Sequence, residues 1–214
     1  METLELMRQR HSVRQYSDKP IPEETKKALL SLVEEINKES NQNFQLFFEE
    51  PEAFNTLMAH YGKFSGVKNY LALVSDDEEK AGYYGEKFVL ESQRLGLNSC
   101  WVAMTYGKRK VKIISDGKQK LICVIAFGYG KNSGIPHRSK EVSSVLKIIG
   151  EKPDYLDLAA EACLLAPTGM NQQKFIITSD NGKITISING KGFYTKIDLG
   201  IVKYHFAAIT ETKK

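Results

Sequence analysis

The residues best suited to chemistry in this sequence form a basic stretch that follows a short N-terminal helix. Arg10, Ser12 and Arg14 are spaced two residues apart within the run Arg10-His11-Ser12-Val13-Arg14-Gln15-Tyr16. In an extended chain, alternate side chains point to the same side, so two guanidiniums and a hydroxyl can converge on one anion. The stretch therefore predicts a phosphate clamp, although an isolated motif of this kind is also typical of a solvated basic turn.

Two later segments carry groups that could bind the same ligand. The run from Ala166 to Gln173 combines a proline stop, small residues that allow a flat ligand to approach the backbone, and amides that donate and accept hydrogen bonds. Arg138 and Lys140 end the loop after a predicted strand and could complete the phosphate site. Each segment alone is equally compatible with turn chemistry, so the prediction rests on their combination.

Several kinds of catalytic site lack support in the sequence. The four histidines show no metal-ligand spacing, no G-x-S-x-G nucleophile motif occurs, and no G-x-G-x-x-G opens a helix. The sequence therefore predicts no metal site and no catalytic side chain of its own.

The composition is that of an ordinary globular protein with a modest positive charge. Hydrophobic residues make up 42% and charged residues 26%, and the net charge of +4 is scattered along the chain, which does not predict nucleic-acid binding. Cys100, Cys123 and Cys163 lie in apolar runs, as free thiols in a reducing compartment do. No apolar run approaches the roughly 20 residues that span a membrane. We expect a soluble cytoplasmic protein without a membrane partner.

Hydrophobic periodicity places these segments within an alternation of helices and strands. The predicted helices cover residues 3–10, 23–38, 51–60, 81–95, 153–165 and 197–211, and the predicted strands cover 44–48, 70–75, 99–103, 119–127, 175–178 and 184–188. Asn181-Gly182, between the last two strands, predicts a two-residue hairpin turn.

The second part of the chain looks like a shortened copy of the first. With a constant offset of 131 residues, Pro22 aligns with Pro153 and Phe44 with Phe175. The order helix, strand, strand, helix occurs twice. We therefore predict two half-domains, 1–150 and 151–214, related by a pseudo-twofold axis, with a ligand site at their junction.

Together, the motifs resemble the FMN-binding motifs of the nitroreductase family. The matching runs are Arg10-x-Ser12-x-Arg14-x-Tyr16, Leu95-Gly96-Leu97-x-Ser99-Cys100-Trp101-Val102, Arg138-x-Lys140 and Ala166-Pro167-Thr168-x-x-Asn171-x-Gln173. The resemblance covers nearly the whole chain. It implies an α+β, nitroreductase-like fold with an antiparallel or mixed central sheet flanked by helices.

The resemblance also implies which residues contact the cofactor FMN. A backbone N–H near Ala103 or Met104 would face flavin N5, and either Lys63 or Arg14 would lie at the pyrimidine edge of the ring. The full set of implied cofactor-binding residues is Arg10, His11, Ser12, Arg14, Ala103, Met104, Arg138, Lys140, Pro167, Thr168 and Asn171. Within it, the arginines, Ser12 and Lys140 would hold the phosphate, and Thr168 and Asn171 would line the ring or ribityl side.

The sequence departs from the family pattern in one respect. The first half has the R-x-S-x-R motif but has Lys38-Glu39-Ser40-Asn41-Gln42 where Pro-Thr-x-x-Asn is expected, and that motif stands in the second half. This distribution of motifs resembles the subgroup in which one chain folds as a pseudo-dimer with one flavin site. The resemblance implies either a monomer of this kind or a homodimer. The implied activity is ping-pong hydride transfer from NAD(P)H to nitroaromatic, quinone or related acceptors. The alternative is a flavin-binding or redox-sensing protein with little turnover.

Overall fold

The computed structural model describes residues 2–211, which fall into two units. Residues 10–77 and 87–136 form the first, called here the basic-strand unit. Residues 2–9, 78–86 and 137–211 form the second, called the amide-loop unit. The sequence-based half-domains 1–150 and 151–214 and their pseudo-twofold axis stay predictions.

The basic-strand unit is built on a four-stranded antiparallel sheet. Its strands are β1 (Gln45–Phe47), β2 (Asn69–Ser75), β3 (Asn98–Val102) and β4 (Lys120–Gly128), in the spatial order β1-β2-β4-β3. Every residue of β2 is buried, and nearly all of β4 is buried too. These two central strands are continuous apolar runs because both of their faces are covered.

Helices flank this sheet. α2 (Glu23–Ser40) buries Leu29, Val33 and Ile36, which recur at the helical spacing of one face. The single helix predicted at 51–60 is wrong. The chain instead forms a 3₁₀ turn at Pro51–Ala53 and a separate helix α3 (Leu57–Tyr61), because the Thr56 hydroxyl accepts a hydrogen bond from the Ala59 backbone N–H (3.2 Å) and caps a new helix there.

The amide-loop unit has its own three-stranded mixed sheet. β5 (Leu146–Ile149) runs parallel to β6 (Phe175–Asp180), and β6 pairs antiparallel with β7 (Lys183–Ile188). Asn181 and Gly182 between β6 and β7 both have positive φ (47° and 84°), so the predicted two-residue turn is confirmed. β5 was not predicted, because four mostly exposed residues carry no alternating pattern.

Three helices complete the amide-loop unit, and a fourth is divided between the units. They are α1 (Thr3–Gln9), α5 (Leu156–Leu164) and α6 (Thr195–Thr210), together with residues 78–86 of α4 (Glu78–Arg94). An α+β fold with antiparallel and mixed sheets is thereby confirmed, with two sheets where one was expected. Across residues 2–211, no helix is both long enough and apolar enough to cross a bilayer.

Glycines let α6 pack closely against α4 within the amide-loop unit. A Cβ on Gly200 would overlap the backbone oxygen of Glu79, and one on Gly82 would overlap the backbone oxygen of Ile197. Neither glycine has the positive φ that would by itself exclude a side chain. Steric contact between backbones therefore sets the identity of both residues.

Gly200→Ala should lower the free energy of unfolding by about 1–3 kcal/mol, the range for overpacking a close contact. Helix propensity alone predicts the opposite sign, a gain of about 1 kcal/mol. Urea denaturation decides between them. Lys196→Ala, at an exposed position of the same helix, is the control and should change stability by less than about 0.5 kcal/mol. A stabilised Gly200→Ala protein would contradict the close packing.

Candidate functional site

The stretch 10–16, called here the basic strand, is an extended segment paired with neighbours of its own unit. The Val13 N–H donates to the Ser99 carbonyl (3.0 Å), and the Tyr16 N–H donates to the Ser65 carbonyl (2.9 Å). Isolated bridges therefore tie the strand to the start of β3 and to the loop before β2. These bonds give backbone groups of the basic strand partners in β3 and in the loop before β2.

Two buried side chains fix the register of the basic strand. Val13 and Tyr16 lie in the core, and the Tyr16 hydroxyl contacts the carbonyl oxygens of Val13 (2.8 Å) and Ala126 (3.2 Å). Burial raises the pKa of Tyr16 well above its ordinary value, so the phenol stays a neutral donor. Gly66 has φ +68°, and a Cβ there would overlap the Tyr16 carbonyl oxygen. The loop before β2 can therefore approach the basic strand this closely only with glycine at position 66.

The three side chains of the predicted phosphate clamp, those of Arg10, Ser12 and Arg14, all influence the pKa of the Cys100 thiol. Burial raises the pKa of Cys100, while the charge of Arg14, a hydrogen bond with Ser12 and the charge of Arg10 each oppose this rise. Arg10 is only 3% exposed, whereas Arg14 reaches the surface. The three groups therefore all influence one thiol, but their convergence on a single anion and their binding of a phosphate stay predictions.

Arg14 carries a charge that no acidic residue neutralises within residues 2–211. Its guanidinium carbon lies 6.0 Å from the centroid of the Phe64 ring. Lys63, the other candidate for the pyrimidine edge, is the sequence neighbour of Phe64 and is exposed, with φ +62°. The two candidates therefore occupy one region of the unit, and the geometry leaves both open.

The remaining candidates in this unit are His11, within the basic strand, and Ala103 and Met104, which follow β3. His11 is half-buried, and a Cβ on Gly134 would lie 2.8 Å from its Cβ, so the loop after β4 packs directly on it. Ala103 and Met104 follow the last residue of β3. Met104 is 61% exposed, and no acceptor within the described chain binds its backbone N–H. That donor is free for a ligand.

The run 166–173, called here the amide loop, has an unusual backbone. Pro167 stands three residues beyond the end of α5, and Met170, Asn171 and Gln173 all have φ between 46° and 53°. Left-handed conformations at residues other than glycine cost energy and persist only when surrounding contacts fix them. Such contacts should therefore be abundant here.

Gln173 is the centre of those contacts. Its side-chain amide nitrogen donates to the Arg138 carbonyl (2.8 Å) and to Asn171 Oδ1 (2.7 Å), and its Oε1 accepts from the Lys140 backbone N–H (2.9 Å). Lys140 Nζ donates to the Gln173 carbonyl (2.8 Å), and the Thr168 hydroxyl accepts from the Gln173 N–H (3.1 Å). One network thus joins the predicted residues of the amide loop to Arg138 and Lys140.

Asn171 is already engaged by the protein. Its Nδ2 donates to the Arg138 carbonyl (2.8 Å), so its visible role is to hold the backbone that carries Arg138 and Lys140. Contact of Thr168 and Asn171 with a flavin stays a prediction. Because Arg138 and Lys140 belong to the amide-loop unit and the basic strand to the other, their shared phosphate contact stays one too.

Asp198 is a residue that the sequence reasoning missed. Its carboxylate accepts hydrogen bonds from the Gly169 backbone N–H (2.9 Å) and from Gln172 Nε2 (2.7 Å), which fixes the first turn of the amide loop. An acidic residue in the first turn of a helix is common, and nothing in its spacing indicated this role.

The fold and these two polar segments define an α+β protein with a basic strand and an ordered amide loop. The family model described as "Putative TM nitroreductase" matches residues 2–210. The chain therefore belongs to the nitroreductase family. No curated protein matches the sequence significantly.

Solved structures share the fold at low sequence identity. Two of them are described as a "putative nitroreductase". The one from Thermotoga maritima is 21% identical with a TM-score of 0.70, covering 100% of this chain and 85% of its own. The one from Desulfovibrio desulfuricans, solved with FMN, is 17% identical with a TM-score of 0.53, covering 71% and 96%. A nitroreductase family protein of Streptococcus pneumoniae is 16% identical with a TM-score of 0.53, covering 68% and 99%.

Asp198 should make stability depend on pH. Burial raises its pKa to about 6 from 3.8, although the bonds from Gly169 and Gln172 oppose the rise. Because the pKa is higher in the folded state, its stabilising contribution is complete below about pH 4 and is lost as the pH rises through about 6. The Asp198→Asn side chain cannot ionise. In this variant the free energy of unfolding, measured by urea denaturation between about pH 4 and pH 7, should therefore fall less steeply with pH than in the wild type. Asp154→Asn, at an exposed site, should retain the wild-type slope; equal slopes for both variants would contradict the assignment.

Proposed function

We propose that this member of the nitroreductase family is an FMN-dependent oxidoreductase whose basic strand binds the FMN phosphate. One observation carries the proposal: the basic strand is paired through its backbone with Ser99 and Ser65, which holds Arg10, Ser12 and Arg14 at alternate positions of one fixed segment, and all three lower the pKa of the neighbouring Cys100 thiol. Membership of the nitroreductase family supports FMN as the ligand of that segment.

The donor set fits a phosphate monoester. Such a group carries about two negative charges near neutral pH and accepts several hydrogen bonds. Each guanidinium can donate two parallel hydrogen bonds to two phosphate oxygens, and the Ser12 hydroxyl adds a further donor. Burial holds Arg10 in place, while the exposed Arg14 offers a charge that no acidic residue of the described chain neutralises.

Further residues are proposed to position the flavin. The free N–H of Met104, or that of Ala103, would donate to N5, and Lys63 or Arg14 would stabilise negative charge at the pyrimidine edge. The other proposed contacts are those of His11, Pro167, Thr168, Asn171, Arg138 and Lys140. When bound, FMN supplies hydride chemistry, with NADH or NADPH as donor and a nitroaromatic, quinone or related small molecule as acceptor.

The chain loaded with FMN should hold about one flavin per chain, as expected of a single-chain pseudo-dimer, and should oxidise NADH or NADPH in the presence of menadione or nitrofurazone. Absorbance gives the flavin stoichiometry, and parallel double-reciprocal plots would indicate the ping-pong order. Bound FMN without turnover would contradict the enzyme and favour the sensing alternative. Failure to bind added FMN would contradict both.

Arg14→Ala should weaken FMN binding by about 1–3 kcal/mol, the range for loss of a charged hydrogen-bonding partner. Quenching of flavin fluorescence on titration measures the affinity. Lys118→Ala removes an exposed cation of the same unit and should leave the affinity unchanged. If the two variants bind FMN equally well, the phosphate is held elsewhere.

A further inference from the structure

A second concentration of positive charge lies shortly after Met104, and the proposed function does not use it. Residues 108–120 contain six cations and a single acid, Asp116, a net charge of +5 compared with +4 for the whole chain. All six cations are exposed. They are called here the basic patch and comprise Lys108, Arg109, Lys110, Lys112, Lys118 and Lys120.

The fold displays these cations on a fixed surface. Tyr106, Val111 and Ile113 pack into the core of the basic-strand unit, so the residues between them point outward. The side chain of Gln45 then bonds both backbone groups of Ile114, accepting from its N–H at 2.9 Å and donating to its carbonyl at 2.6 Å. The segment is therefore anchored at Ile114 to the side chain of a β1 residue.

The basic patch is not neutralised from within the molecule. Among residues 2–211, none of its six cations takes part in an ion pair. Six like charges held on one fixed segment repel one another, and a partner of opposite charge would relieve that repulsion.

Exposed apolar side chains lie beside one end of the basic patch. Leu57 and Tyr61 of α3 are 88% and 82% exposed. The Gly107 N–H donates to the Ala53 carbonyl (2.7 Å), and a Cβ on Gly62 would lie 2.6 Å from the Thr105 side chain. The segment between Met104 and Lys108 therefore packs against the residues on both sides of α3, so the basic patch begins close to the helix that carries Leu57 and Tyr61.

An apolar centre with a charged rim is the usual anatomy of a transient protein interface. We propose that this surface docks an acidic electron-carrier protein, with Leu57, Tyr61 and Met104 in the centre and Lys108, Arg109 and Lys110 in the rim. Complementary charge would steer the encounter, as it does for other charged pairs. A single exposed aromatic residue provides no stacking platform for a nucleic acid.

The role as electron carrier rests on the proposed function, in which Met104 contacts the flavin. A carrier docked on Met104 would then be the acceptor. The overall reaction balances when NAD(P)H loses a hydride, two carriers gain one electron each, and one proton is released to solvent.

Binding is tested with two probes that differ in charge and share one haem protein: native cytochrome c, which is basic, and succinylated cytochrome c, which is acidic. The FMN-loaded chain should bind the succinylated form preferentially at about 20 mM salt and lose most of this affinity by about 200 mM, as the Debye length shortens. Lys108→Gln/Arg109→Gln/Lys110→Gln should weaken binding about tenfold or more. Lys147→Gln/Lys183→Gln/Lys196→Gln makes the same change in net charge at exposed positions of the other unit and should not.

Turnover provides the second readout. Anaerobic reduction of succinylated cytochrome c by NAD(P)H, followed at the haem, should slow in the first triple variant and not in its control. Reduction of menadione, a neutral acceptor, should be equal in both. A chain that binds the acidic probe but reduces neither acceptor would contradict the proposed function and the carrier role while leaving the docking surface in place.

Three results would overturn the docking proposal. They are equal affinity for the two cytochromes, equal affinity of the two triple variants for the acidic one, and binding to phosphatidylglycerol vesicles through the basic patch without discrimination between the cytochromes. The last would identify a lipid surface as the partner.

Discussion

The backbone pairing of the basic strand is the constraint on which the proposed phosphate site depends. This segment keeps its register through the burial of Val13 and Tyr16, its backbone hydrogen bonds to Ser99 and Ser65, and the close approach of Gly66. A shift of one residue would turn Arg10, Ser12 and Arg14 together to the opposite side of the strand. Fixed register is therefore what converts a basic sequence into a directed group of donors.

The amide loop is ordered mainly by side-chain hydrogen bonds, in contrast to the backbone pairing of the basic strand. Its left-handed residues each cost about 1–3 kcal/mol, so the loop holds this shape only because side-chain amides replace missing backbone partners. The Gln173 side chain bonds to the backbone of Arg138 and Lys140, and Asp198 holds the first turn of the loop. The carboxylate of Asp198 is desolvated to do so, which is why its pKa is raised. The buried carboxylate that orders the loop therefore lowers the free energy of unfolding of the protein near neutral pH.

Much of the fold followed from hydrophobic periodicity. The spacing of Leu29, Val33 and Ile36 identified α2, and Asn181-Gly182 identified the β6–β7 turn, because each signal is local and strong. The break at Thr56 was missed because one capping hydrogen bond outweighed a continuous helical pattern. β5 was missed because it owes its existence to pairing with β6, about 30 residues away.

The candidate site was predictable to a different extent in the two units. Alternation along an extended strand predicts that Arg10, Ser12 and Arg14 point to one side, and their shared influence on the pKa of Cys100 is consistent with this. The network of Gln173 could not be read from the sequence, because it needs left-handed backbone at residues that rarely adopt it and contacts with a segment 33 residues away. The sequence motif marked the right loop without indicating which of its amides order it.

The central claim is that the basic strand recognises a phosphate, and comparison of FMN with riboflavin tests it most directly because the two ligands differ only in that group. If so, the protein should bind FMN at least about tenfold more tightly than riboflavin, and Arg14→Ala should remove most of this difference. Equal affinity for the two ligands in the unmodified protein would contradict it.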